Sequence, residues 1–128
     1  MALGQQIRYF INSIKNLIKW FPIIWRDRDW DNTYIEEMLL FKLNNMYKRF
    51  SNPDVTYVDW DSKYAKPALK ALKICVQILE RRQNNYYTDY WWSRGQKDKN
   101  LMISCQLEER DWKIFCRLME KYSGYWWD

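Results

Sequence analysis

The chain has 128 residues, a formal charge of +5 from 21 Lys and Arg against 16 Asp and Glu, and no His. That length suits one domain with its own core, and three Gly and three Pro are too few turn residues for a many-stranded barrel, which favours helices on short connections. Without His, the commonest general base and the usual partner of a Ser or Cys nucleophile are missing, so a protein without enzymatic activity, metal or cofactor is expected.

Residues 5–20 predict the first helix. Ile7, Phe10, Ile11, Ile14, Leu17 and Ile18, then Phe21, recur at helical spacing. Arg8, Lys15 and Lys19 lie off that stripe, and the first acid is Asp27. Such a stripe is read first as core or as an oligomer interface, although a basic amphipathic helix can also lie on a membrane surface or in a partner's groove. Pro22 is expected to end the helix, because the residue before a proline is pushed out of the α region. No run approaches the roughly eighteen apolar residues of a membrane span. The amino terminus also lacks the apolar run and cleavage site of a signal peptide.

Trp25-Arg26-Asp27-Arg28-Asp29-Trp30-Asp31 then alternates acids, arginines and tryptophans directly before a second helix at about 32–50. Asp31 suits its N-cap, and Thr33-x-x-Glu36 offers a capping box. Ile35, Met38, Leu39, Leu43, Met46 and Phe50 form its apolar stripe, with Lys42 inside it. A lysine there must lift its charge to water or meet a carboxylate. Two readings follow. In one, Asp27, Asp29 and Asp31 build a salt-bridge network with the cations. In the other, Arg26, Arg28 and Lys42 face a pocket and hold phosphate while the acids orient them. A calcium loop is excluded, since Asn32 stands in place of the required glycine and Met38 in place of the bidentate glutamate.

Residues 51–65 read as a loop, and Pro67 suits the first turn of a third helix at 66–83, extendable to 91. Its stripe of Leu69, Leu72, Cys75, Val76 and Leu79, widened by Ala71, Ile74 and Ile78, places it centrally. Tyr86, Tyr87, Tyr90, Trp91 and Trp92 follow Arg81 and Arg82, as nucleotide-stacking rings or as a packing face. Residues 93–100 read as a polar loop containing Arg94 and Lys97, with Gly95 permitting close backbone approach. The last helix, at about 104–121, takes Ser104 as its cap and Trp112, Phe115, Cys116 and Met119 as its inner face. Cys75, Cys105 and Cys116 have no metal spacing and are expected as small buried hydrophobes. The closing Tyr125-Trp126-Trp127-Asp128 is expected to tuck against the body or a neighbouring subunit.

The 25–31 stretch, followed by Tyr34 and Lys42-Leu43 and closed by Trp126-Trp127-Asp128, resembles a group of small accessory proteins of tailed bacteriophages. The resemblance implies work in the cytoplasm of a bacterial host and, by the company such proteins keep, anti-defence activity. The expected fold is therefore all-α: a single helical domain over 1–128, a compact bundle of about four helices with one or two long polar loops. Nine Trp and ten Tyr exceed what a small core hides, so a homo-oligomer is expected. The expected function is non-catalytic sequestration of a small anionic nucleotide immune signal such as a cyclic oligonucleotide. Trp25, Arg26, Arg28, Trp30 and Lys42 would form the site, with Arg94 and Lys97 as a lid. A protein-binding inhibitor of a host defence enzyme and a single-stranded nucleic-acid binder are the alternatives.

Overall fold

The computed structural model describes residues 2–52, 65–92 and 97–126, with the side chains of 90–99 outside that set. The described chain is all-α. Its helices are α1 (Leu3–Arg26), α2 (Thr33–Phe50), α3 (Ala65–Gln83), α4 (Tyr86–Trp92) and α5 (Lys97–Tyr122), the last running into a 3₁₀ turn at Ser123–Tyr125. The backbone divides into two compact units, Met1–Ile35 and Glu36–Asp128.

In the smaller unit, α1 runs through Pro22 instead of stopping before it. A proline within a helix forfeits one backbone hydrogen bond and crowds the preceding turn, a cost that this helix absorbs. The continuation places Trp25 over Phe21, their rings stacked with centroids 5.6 Å apart. Arg28 finishes the helix by donating from Nη1 to the carbonyls of Trp25 at 3.2 Å and Asp27 at 2.6 Å. A guanidinium at orphan carbonyls also complements the negative end of the helix dipole. Asp31 opens α2 as expected, its Oδ1 accepting the Thr33 N–H at 2.8 Å. That hydrogen bond holds the Asp31 carboxyl below its ordinary value.

In the larger unit, α3 is the centre, as its stripe predicts. Ala65, Ala68, Ala71, Leu72, Cys75, Val76, Ile78 and Leu79 are all buried. Leu43 and Phe50 of α2, Phe115 of α5 and Trp126 complete the core around them. The small alanines leave room for the Trp126 indole, whose Nε1 donates to the Ala68 carbonyl at 2.8 Å. The closing tryptophan is thus tucked into the body; Trp127 lies outside the described residues.

One further boundary and several expected faces differ. Helix α3 ends at Gln83, its expected bound, without the extension to 91. It breaks at Asn84-Asn85, where Asn85 adopts φ +58°, a left-handed conformation that asparagine tolerates better than most residues. Helix α5 begins seven residues earlier than expected, so Lys97–Asn100 form its first turn and not the end of a loop. Ser104 is then no cap: it is buried mid-helix, its hydroxyl donating to the Tyr87 carbonyl at 2.6 Å. On α2 the buried line is Glu36, Leu43 and Phe50, which leaves Ile35 62% exposed and Lys42 in solvent. On α5 it is Asn100, Ser104, Asp111 and Phe115, which turns Trp112 outward and leaves Cys116 exposed. Of the three cysteines only Cys75 is buried. Burial, reinforced by the neighbouring Cys116, pushes its thiol up to about 12.

Candidate interaction surface

The most distinctive surface belongs to α1. Ten of its large apolar side chains, from Leu3 to Trp25, are each between 41% and 72% exposed, and Ile23 is the buried residue of the helix. The stripe expected to form core or an oligomer interface is therefore exposed in the single chain. At 3.6 residues per turn these ten side chains occupy a continuous sector of about 140° along a rod of about 36 Å. Arg8, Lys15, Lys19 and Arg26 fall within roughly 40° of one another beside that sector, and α1 contains no Asp or Glu. Helix α1 is thus apolar along one side and cationic along the adjacent flank.

The 25–31 stretch lies where α1 gives way to α2. Trp25 and Trp30 are 71% and 79% exposed, and Arg26, Asp29 and Asp31 also face solvent. Arg28 and Asp31 act locally, as the caps of α1 and α2 described above. Trp25, Arg26, Arg28 and Trp30 are thus close in the chain, whereas Lys42 belongs to the other unit. Arg94 and the Lys97 side chain lie outside the described residues.

A polar cluster that the sequence reading missed joins α2, α3, α4 and α5. Asp111, 2% exposed, accepts from the Tyr87 hydroxyl at 2.6 Å and from Arg81 at 3.2 Å on Oδ2, and from Arg110 at 3.2 Å on Oδ1. Burial alone would raise its carboxyl, but the three donors outweigh burial and hold it below the usual carboxylate value. Tyr87 moves the other way, its phenol raised by burial and by the bond to Asp111. Asp111 therefore stays a carboxylate and Tyr87 a phenol across the physiological range. Beside them Arg82 forms a bidentate pair with Glu36, reaches Glu108 at 3.5 Å and lies over the Trp112 ring at 4.6 Å. Glu36 thus serves an inter-helix ion pair in place of the expected capping box. One signal for the cluster was present in the sequence: Asp111 lies one turn before Phe115 on the inner side of the last helix, where a carboxylate needs donors.

Set against known protein families, curated proteins and solved structures, the chain matches none of them significantly.

The Asp111 cluster predicts a pH dependence. A folded carboxyl held below its unfolded value of about 3.9 contributes stability that is fully present above that value and lost as pH falls through the folded one. Asp111→Asn is expected to cost about 2–3 kcal/mol at pH 7, since it weakens charge-assisted bonds around a buried acceptor. In chemical denaturation, its deficit relative to wild type should shrink steadily below pH 4. A deficit independent of pH would mean that the charge of Asp111 plays no part.

Proposed function

We propose that this chain is a non-catalytic binding protein in which α1 is the docking element and the unit 36–128 is the body it attaches. One observation carries the reading: a 24-residue helix with a continuous apolar face, exposed along its whole length. Contiguous apolar patches of this extent mark sites of interaction on soluble chains. The body has its own core, built from α2, α3, α5 and Trp126. The setting suggested by the bacteriophage resemblance, the cytoplasm of a bacterial host, suits a small protein that acts by attachment.

A second reading, sequestration of an anionic nucleotide, draws on the exposed indoles of Trp25 and Trp30 with Arg26 and Arg28 between them. Aromatic faces beside guanidinium groups suit stacked bases and phosphates. A thermal-shift series with cyclic di- and trinucleotides tests it. A ligand-specific rise that Trp30→Ala removes would support sequestration, and a flat series would dismiss it.

For the docking reading, the full chain and its Ile14→Asp/Ile18→Asp variant are expressed in bacteria and the lysates sedimented. Wild type is expected with a much larger assembly, and the variant as free protein with its thermal midpoint within about 2 °C of wild type, because surface substitutions typically change stability by less than about 0.5 kcal/mol. A variant that fails to fold would show the face to be core. A variant that sediments like wild type would show that the face does not bind.

A further inference from the structure

Resting on the docking role of α1, we propose that its partner is an anionic lipid surface, along which α1 lies in the plane of the bilayer. Phe10, Ile14 and Phe21 point from the middle of the apolar sector into the acyl boundary, Ile7, Ile18 and Trp25 lie on its cationic side, and Arg8, Lys15, Lys19 and Arg26 meet headgroup phosphates from its flank.

Four observations favour lipid over other occupants. The first is width. A groove in a protein grips a narrow row of anchors at i, i+3, i+4 and i+7, whereas α1 offers a sector of about 140°, suited to a flat apolar medium. The second is the sign of the charge. Every charged side chain of α1 is cationic, and all four lie on one flank, at the level where long basic side chains lift their heads to phosphate while their stems stay in apolar surroundings. The acids begin only at Asp27, beyond the end of the helix. The third is chemistry at the carboxyl end. Phe21 and Trp25 stack on the apolar side, and tryptophan favours the boundary between hydrocarbon and headgroup because its ring is apolar and its N–H polar. The fourth is depth. Among the described residues no helix is long and apolar enough to cross a membrane, and we accordingly lay α1 along the surface.

A second copy of α1 fits less well. Pairing two apolar faces antiparallel would bring two rows of cations together, and α1 supplies no carboxylate to oppose them.

The test is co-sedimentation of the full-length protein with vesicles of phosphatidylglycerol and phosphatidylcholine in equal parts, against vesicles of phosphatidylcholine alone. The mixed vesicles should bind the protein at least tenfold more strongly, and 0.5 M salt should remove most of that preference, since the Debye length falls to a few ångströms. Each cation near an anionic surface contributes about fivefold to partition. Lys15→Gln/Lys19→Gln should therefore weaken binding to the mixed vesicles by roughly 30-fold and leave the melting curve in place. Ile14→Asp/Ile18→Asp should abolish binding to both kinds of vesicle. Equal binding to both vesicles at all salt concentrations would overturn the headgroup role of the cations. No binding to either vesicle, while the larger assembly in lysate still depends on Ile14 and Ile18, would overturn the lipid partner and leave a protein partner for the same helix. Concentration-dependent self-association lost in the aspartate variant would assign the face to a second copy instead.

Discussion

A single carboxylate sunk between helices governs how the larger unit is joined. Asp111 sits in the middle of α5 and is met by Tyr87 from α4 and Arg81 from α3. Placing a carboxylate there is favourable only because each donor is aimed at it; left unpaired, the charge would cost several kcal/mol. The requirement runs in both directions. Tyr87 reaches Asp111 only if α4 turns back sharply after α3, and the left-handed backbone of Asn85 provides that turn. Ser104 ties the same region from the other side by holding the Tyr87 carbonyl. Polar groups thus fix the register of α3, α4 and α5, while Leu72, Leu79 and Phe115 supply the buried apolar area.

The two units divide the properties of the chain between them. The body spends its apolar residues inward, with alanines, leucines and Cys75 of α3 at its centre. Helix α1 holds its apolar residues outward and gathers positive charge beside them. Interior packing explains the first pattern. For the second we propose an external partner, because an exposed sector of isoleucine, phenylalanine and tryptophan is otherwise an aggregation liability.

Much of the fold was legible in the sequence. Helical spacing with few Gly and Pro gave the all-α class. The uninterrupted stripe of α3 gave its central place, Asp31 gave the start of α2, and Trp126 was expected against the body. What stayed hidden has three physical causes. Pro22 carries a local preference that the rest of α1 overrides, so the helix and its apolar face extend further than the proline suggests. Helices α2 and α5 bury Glu36, Asn100, Ser104 and Asp111, and a reading that assigns the inner face to the most apolar residues turns both helices toward Ile35, Trp112 and Cys116. Finally, the amphipathic pattern of α1 is the same whether its face meets a core, a second copy or a lipid surface. The sequence placed core or an oligomer interface first for α1, with a membrane surface or a partner's groove as alternatives, and the structure shows its apolar face exposed. The 25–31 stretch drew the eye by its composition, yet Arg28 and Asp31 are occupied in capping the helices on either side.

The most direct test of an exposed interaction helix is hydrogen–deuterium exchange on the full-length protein alone, read peptide by peptide. Exchange reports the free energy needed to open each segment. With its face exposed, α1 should exchange its amides over 3–26 orders of magnitude faster than α3 does over 68–79, where Ala68, Ala71, Leu72, Cys75, Val76, Ile78 and Leu79 are buried. Protection of α1 equal to that of α3 in the free monomer would contradict the division of the chain into a packed body and a separate docking helix.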